Sequence, residues 1–266
     1  MDILFFNFVV TNFKSFIIMY TYPTLTLNLT SLMTNSQNLG PLRPSSSITT
    51  TGYPNVHEKN ENAQTALPDT SNKNGHNVIV KNLLKKGAKI DKRDNDRSTA
   101  LMDSCQNGHI DSVHTLINNG VNINEKKNHG WTALMNACQD GHTEDVKALL
   151  KNGSGGTINE KTEYGWTLLM FACCKGHIDI VRVLLRNGAE ASLNEKNEQD
   201  GFTALMMACK IDRERTDIVK ALLEKGASIN VKNNDNETAL DIARRKNHDN
   251  IKQLLECPPM SKPARM

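Results

Sequence analysis

A pattern that returns about every 34 residues constrains the fold more than any other feature of this chain. Complete or partial copies of T-x-L-M-x-A-C-x-x-G-H begin at Thr65, Thr99, Thr132, Thr167, Thr203 and Thr238. The intervals between these threonines are 34, 33, 35, 36 and 35 residues. A nearly constant period of this length is typical of solenoid proteins, in which each repeat packs mainly on its neighbours. We therefore interpret most of the chain as a repeat array.

The copy that begins at Thr132 predicts two helices and a loop. Thr132 is placed to cap a first helix, because its hydroxyl can accept hydrogen bonds from the free N–H groups of the first turn. Gly141 can adopt the left-handed conformation that ends this helix. Apolar residues at helical spacing then predict a second helix with one apolar stripe, formed by Val146, Leu149 and Leu150. The polar, Gly-rich segment that follows predicts a hairpin loop before the next cap.

These residues resemble the ankyrin-repeat family, whose pattern is G-x-T-P-L-H-x-A-A-x-x-G-H followed by an apolar helix and G-A-x-x-N. Within one unit the matches are Gly130-Trp131-Thr132, Ala137, Gly141-His142 and Leu149-Leu150, and Gly188-Ala189 and Gly226-Ala227 match the hairpin end elsewhere. The run W-x-x-L-G-x-x-Y of tetratricopeptide repeats is absent from the sequence, and leucine-rich repeats are shorter. The resemblance implies an all-α repeat fold, an ankyrin solenoid of about six helix-turn-helix units with hairpin loops.

The domain organisation follows from where the pattern starts and stops. We assign residues 58–256 to the array, with approximate repeats at 60–93, 94–126, 127–161, 162–197, 198–232 and 233–256. The first and last repeats are irregular, as expected for caps that meet water on one side. Residues 1–57 form a non-repeat leader that we expect to be poorly ordered, and residues 257–266 are expected to be a disordered tail.

The leader leaves alternatives open. It carries only Asp2, Lys14 and Arg43 as charged residues, and a Ser, Thr and Pro-rich run follows Arg43. The segment Ile3 to Tyr20 is rich in Phe and Ile, but polar residues interrupt the apolar run that a membrane-spanning helix prefers. Membrane association through residues 3–20, a signal sequence and initiation at Met33 all remain as hypotheses.

Several substitutions depart from the family pattern. The family's fourth-position His is replaced by methionine, at Met102, Met135, Met170 and Met206. We expect polarizable Met packing to replace the hydrogen bonds of that His. In the second helices, Ser112 and Asp145 take positions that are normally aliphatic, which predicts weak points in the array. Extra residues at 154–156 and around Leu193 are expected to lengthen hairpin loops, and those at 211–215 separate two helices of one repeat.

The residues that could carry chemistry recur at structural positions of the repeat. One column of cysteines is expected to be small core residues: Cys105, Cys138, Cys173 and Cys209. The histidines that follow the turn glycine are also interpreted as structural: His76, His109, His142 and His177. The cysteine spacings do not match a zinc site, and no phosphate loop or nucleophile elbow is present in the sequence. We therefore predict no enzyme activity, no cofactor and no metal.

The predicted function is recognition of another protein. The net charge of +3 gives no clustered basic footprint for nucleic acid. By resemblance, ankyrin arrays bind proteins on their concave side, where this chain carries His129, Trp131, Gln139, Asp140, Tyr164, Trp166, Cys174, Lys175, Phe202, Lys210 and Ile211. We predict a monomeric scaffold or adaptor in the cytoplasm, with the nucleus also possible. The alternatives are a membrane-tethered ankyrin protein and the substrate-recognition part of a larger enzyme complex.

One hypothesis concerns the aromatic residues at the centre of this surface. Trp131, Trp166 and Phe202 each precede a capping threonine, so stacked repeats should align them in a ridge beside Tyr164. Aromatic side chains of this kind dominate binding hot spots. The competing interpretation is that each aromatic ring packs on the next hairpin and stabilises the array.

Overall fold

The computed structural model describes residues 67, 77–94, 96–211 and 213–257. The predictions for the leader, for the first helix of the first repeat and for residues 258–266 fall outside this part of the chain. Within it, the α-helices are α1 (Asn77–Lys85), α2 (Ala100–Asn107), α3 (Ile110–Asn118), α4 (Ala133–Asp140), α5 (Thr143–Lys151), α6 (Leu168–Lys175), α7 (Ile178–Arg186), α8 (Ala204–Lys210), α9 (Thr216–Glu224), α10 (Ala239–Arg245) and α11 (Asp249–Glu256). The prediction of an all-α array of helix pairs is confirmed.

The ends of the first helices follow the sequence pattern. A threonine is the N-cap residue of each described first helix, and its hydroxyl accepts a hydrogen bond from the backbone N–H three residues later. These caps are Thr99, Thr132, Thr167, Thr203 and Thr238, for α2, α4, α6, α8 and α10 in that order. Glycines in the left-handed conformation end α2, α4 and α6. At Gly108 a side chain would also collide, because an added Cβ would lie 2.3 Å from Nδ1 of His142. The turn glycine therefore lets the histidine of the next repeat approach.

The core lies between helices of successive repeats. The first helices pack closely on one another, in the order α2, α4, α6, α8 and α10, and the second helices form a parallel outer layer. Small residues such as Ala137 and Cys138 make this close approach possible, and both are fully buried. The four methionines that replace the family's histidine are at most 1% exposed. This burial agrees with the expectation that Met packing takes the place of hydrogen bonding there.

The hairpins join the repeats through the backbone. The N–H of Lys127 donates to the carbonyl of Trp131 at 2.9 Å and so closes one hairpin, and the next two close in the same way. At the tips, the N–H of Glu163 donates to the carbonyl of His129 at 3.0 Å, and that of Glu198 donates to the carbonyl of Tyr164 at 3.0 Å. Successive hairpins are thus tied together, and the side chains at their tips are held at a regular spacing.

The extra residues at 154–156 and around Leu193 lie after second helices, in the segments where the sequence predicts longer hairpin loops. The extra residues form single 3-10 turns, Ser154–Thr157 and Ala189–Ser192, shortly after α5 and α7. Each turn places an apolar side chain in the core, since Ile158 and Leu193 are both 4% exposed. The insertions therefore extend the outer layer, because burying these side chains stabilises a compact turn.

The insertion in the fifth repeat lies between α8 and α9, as predicted, and it changes the turn residue. Arg215 is the N-cap residue of α9, a place that histidine occupies in the preceding repeats. A Cβ added to Gly176 would lie 2.7 Å from Nε of Arg215, just as one added to Gly141 would meet His177. Arg215 therefore takes over the packing position of the missing histidine.

Candidate functional site

An aromatic cluster occupies the middle of the first-helix side of the array. The ring of Trp131 lies 4.7 Å from the ring of Phe171, measured between centroids, and Trp166 stacks on the other part of Phe171 at 5.1 Å. Trp131 is half-buried, whereas Trp166 is 8% exposed and Phe202 is 4% exposed. The three aromatic residues that precede capping threonines are therefore not equivalent. Trp131 offers the most surface to a partner.

Phe171 is the residue that sequence reasoning missed. It lies on α6, at the variable fifth position of T-x-L-M-x, and it links the tryptophans of two successive hairpins. The same position holds Asp103, Asn136 and Met207 in the other regular repeats. The available signal was an aromatic residue at a position that holds Asp or Asn in the second and third repeats.

The hairpin tips bring His129 and Tyr164 together. Their ring centroids are 5.2 Å apart, and the Tyr164 hydroxyl lies 3.3 Å from Nδ1 of His129. The same ring nitrogen lies 3.0 Å from Oε2 of Glu163. His129 has a φ of 61°, which is uncommon for a residue with a side chain. This polar group forms one edge of the aromatic cluster.

Charged side chains border the cluster on both ends. On the C-terminal side, Nζ of Lys210 lies 4.5 Å from the ring centroid of Phe202 and 3.7 Å from Oδ2 of Asp200. On the N-terminal side, Nζ of Lys127 lies 5.9 Å from the ring of Trp131. Burial lowers the pKa of Lys127, and the nearby carboxylates of Asp103, Asp94, Asp96 and Asp140 oppose that shift.

The remaining predicted contacts surround these residues. Gln139 is half-buried and Asp140 is exposed at the end of α4, and Lys175 is exposed at the end of α6. Ile211, which follows α8, is half-buried. Cys174 is half-buried too, and burial raises the pKa of its thiol while the charges of Lys175 and Lys210 act in the opposite direction. The predicted set therefore combines half-buried or enclosed aromatic residues with half-buried or exposed residues at the ends of the first helices.

Asp103 is a buried acidic residue on α2, close enough to Lys127 to interact with its charge. Its side chain is 5% exposed, and Ser98 Oγ donates a hydrogen bond to Oδ1 at 2.7 Å. Burial raises the pKa of Asp103 to about 6, because the charged form loses hydration, and the hydrogen bond from Ser98 limits the shift. The carboxyl is held in place by Ser98 and is little accessible to a partner.

The repeated histidines and cysteines have structural surroundings. Nε2 of His142 lies 3.1 Å from the carbonyl of Gln106, and Nε2 of His177 lies 3.1 Å from that of Gln139, each in the preceding repeat. Burial lowers the pKa of His177, which favours the neutral ring in this bond. The four cysteines of the column are 0% exposed, and burial raises their thiol pKa values, to about 12 for Cys209.

Two features of the described residues bear on metal and membrane binding. Among these residues, no group of three or more His, Cys, Asp or Glu side chains is arranged to hold a metal ion. In the same part of the chain, no helix combines the length and the apolar character that crossing a bilayer requires.

The capped helix pairs, the linked hairpins and the shared core define a helical-repeat solenoid. The chain belongs to the ankyrin-repeat family, because the family model for ankyrin repeats matches residues 48–127, 119–197 and 189–263. A crystal structure of an ankyrin repeat domain from Acinetobacter baumannii AYE is similar, with 30% sequence identity and a TM-score of 0.63, over 71% of this chain and 95% of that chain. No curated protein matches the chain by sequence. Ankyrin repeats generally act as protein–protein interaction modules.

Proposed function

We propose that the chain is a non-enzymatic scaffold or adaptor that binds a partner protein through the patch centred on Trp131. The observation that carries this proposal is the half-buried Trp131 ring, which rests on Phe171 and is bordered by charged and polar side chains. Rigidly supported aromatic rings inside a polar rim are characteristic of binding hot spots. The linked hairpins hold the ring on one side and α6 holds it on the other. The ring should therefore lose little conformational entropy when a partner binds.

Within this proposal the predicted residues have two roles. The proposed partner contacts are half-buried or exposed residues, which a partner can reach: His129, Trp131, Gln139, Asp140, Tyr164, Lys175, Lys210 and Ile211. Trp166 and Phe202 are enclosed, and their burial favours the competing interpretation that they stabilise the array. They support the patch from below by packing on Phe171 and beneath Lys210, respectively.

The test is a comparison of matched surface variants in affinity purification of the full chain. Trp131→Ala changes the patch, and Arg182→Ala changes an exposed residue on α7, in the second-helix layer. Partners identified by mass spectrometry with the unmodified chain and with Arg182→Ala should be depleted with Trp131→Ala. With one such partner purified, Trp131→Ala should weaken binding at least tenfold, about 1.4 kcal/mol.

The opposite pattern would overturn the proposal. Binding that survives Trp131→Ala, Lys175→Ala and Lys210→Ala but is lost in Arg182→Ala would place the partner on the second-helix layer. Circular dichroism melting of each variant separates lost binding from lost folding.

The proposed setting is the cytoplasm, with a monomeric chain. Its support is the column of four buried free thiols, which suits a compartment that keeps cysteines reduced. Cell fractionation tests the location, and recovery of the full chain in a membrane pellet that resists high salt would contradict it. Light scattering in solution tests the monomer.

A further inference from the structure

One interface between repeats contains a buried carboxyl group with an unsatisfied oxygen. Asp145 lies on α5 and is 1% exposed. Its Oδ2 is buried, and none of the residues that the structure describes forms a hydrogen bond with it. The negative charge of Asp145 contributes to the raised pKa of the Cys105 thiol on α2. The carboxyl therefore lies on the side of α5 that packs against the second repeat. The carboxyl is therefore buried between the second and third repeats.

The equivalent positions show that the array does not require a polar group there. In the second helices of the later repeats, the same register holds Ile180, Ile218 and Ile251, which are all 0% exposed. In α3 this register holds Ser112, which is also 0% exposed and whose Oγ has no hydrogen-bond partner in the described part of the chain. An isoleucine fills this space elsewhere without an unsatisfied atom. A charged Asp145 would lose most of its hydration at this buried position, which is unfavourable.

Few other titratable groups surround Asp145. On its own helix the neighbour is Glu144, which is exposed and raises the pKa of Asp145 further. From the first helices, the groups on this side are the buried thiols of Cys105 and Cys138. The charged residues of the adjacent second helices all point to solvent: Asp111 and His114 on α3, and Asp179, Arg182 and Arg186 on α7. Among the residues that the structure describes, no cation is positioned against Asp145 to stabilise the carboxylate.

We propose that the contact between the second and third repeats is a proton-sensitive seam, which is closed when Asp145 is protonated and opens more often when Asp145 is ionised. Opening here means transient separation of α2 and α3 from α4 and α5, with hydration of the carboxylate. Successive ankyrin units are coupled mainly to their nearest neighbours, so one interface can open while the later repeats stay folded. The later repeats carry isoleucine at this register, so their contacts should not respond to protonation in this way.

The direction of the pH effect follows from linkage. Burial raises the pKa of Asp145 from 3.8 to about 7 in the closed array. An open state with a hydrated carboxylate releases its proton near the ordinary value. Opening therefore becomes more favourable as the pH rises from about 4 to about 7, and it levels off above that range. Between pH 6 and pH 8 the opening equilibrium should rise about tenfold.

Hydrogen–deuterium exchange with mass spectrometry on the full chain tests the seam. Exchange rates at pH 6 and pH 8, each divided by the intrinsic rate of an unstructured peptide, give the opening equilibrium of each helix. We expect protection of α2 and α3 to fall about tenfold between these pH values, while protection of α8 and α9 changes little. Asp145→Asn should abolish the difference, and Glu144→Gln, the exposed neighbour, should leave it nearly unchanged.

Two outcomes would overturn the proposal. One is equal pH dependence of α2 and α3 in the unmodified chain and in Asp145→Asn, and the other is a pH dependence shared by all helices. If Asp145→Asn does not fold, Asp145→Ile replaces it, because isoleucine is the residue that the later repeats place at this position. A pH-dependent loss of protection that persists in Asp145→Ile contradicts the seam as clearly as one that persists in Asp145→Asn.

Discussion

The second and third repeats differ from the fourth and fifth in the chemistry of equivalent buried positions. The second helices of the earlier pair bury Ser112 and Asp145, whereas those of the later pair bury Ile180 and Ile218. All four residues are at most 1% exposed, and their helices occupy equivalent places in the stack. Caps, turns and hairpins therefore set the fold of each repeat. The two pairs of repeats differ in one buried column, and we expect this difference to change how stable the contacts between neighbouring repeats are.

The aromatic residues show the same contrast. Trp131 of the third repeat is half-buried, but Trp166 of the fourth repeat is enclosed at 8% exposure. Phe171 of α6 packs on both rings, so the fuller enclosure of Trp166 comes from its other neighbours. The fourth repeat thus uses its aromatic residues as core, while the third repeat leaves one available at the surface.

The largest effect is expected from moving the polar residue into the later repeats. Ile180→Asp should lower the free energy of unfolding by about 4 kcal/mol at pH 7, because it removes a buried apolar side chain and adds a buried carboxyl group. Urea unfolding followed by circular dichroism measures the loss. The loss should shrink toward pH 5, where the new carboxyl is more easily kept neutral. A loss below about 1 kcal/mol would mean that the column does not distinguish the two regions.

A somewhat smaller effect is expected from the enclosed tryptophan. Trp166→Ala should lower the free energy of unfolding by about 3 kcal/mol, since truncation of a buried aromatic residue leaves a cavity. Trp131→Ala should lower it by only about 1 kcal/mol, because that side chain is more exposed than Trp166 and loses less packing. Thermal melting of the two variants side by side gives the comparison. Equal losses of stability would show that both tryptophans stabilise the array to the same extent.

Removing the unsatisfied carboxyl should stabilise the weaker region. Asp145→Ile should raise the free energy of unfolding at pH 7 by about 2 kcal/mol, through added apolar burial and loss of the buried polar group. Because the raised pKa of Asp145, about 7, weakens the closed array as the pH rises toward neutrality, the gain should be smaller at pH 5 than at pH 7. Urea unfolding at both pH values measures it. A gain that does not depend on pH would show that ionisation of Asp145 contributes nothing.

The smallest effect concerns the hairpin of the second repeat. Arg97 has a φ of 61° at the place where the next three repeats have Gly130, Gly165 and Gly201. Arg97→Gly should therefore raise the free energy of unfolding by about 1 kcal/mol, by relieving the left-handed conformation of a residue with a side chain. Asn236, at the same place in the last repeat, also has a positive φ, of 64°. Asn236→Gly should gain less in the same melting experiment, because asparagine tolerates this conformation well.

Much of the fold was predictable because it depends on local, repeated signals. A threonine cap, a turn glycine and an apolar stripe act within a few residues, so Thr132 and Gly141 could be assigned from the chain alone. The buried cysteine column and the polar weak points at Ser112 and Asp145 were also predictable, since the period shows which residues share an environment. The 3-10 turns that the extra residues form after α5 and α7 were not predictable, because they depend on the packing of Ile158 and Leu193 into the core.

The order of residues along this chain was enough to establish the period, the caps, the helix pairs and the family. Those features depend on propensities and spacing, which are properties of neighbouring residues. Three features became visible only in the stacked repeats. They are the unequal exposure of Trp131 and Trp166, the packing of Phe171 between these rings, and the unsatisfied oxygen of Asp145. Each of these depends on contacts between residues about one repeat apart, because exposure and hydrogen-bond partners are set by what packs against a side chain in space.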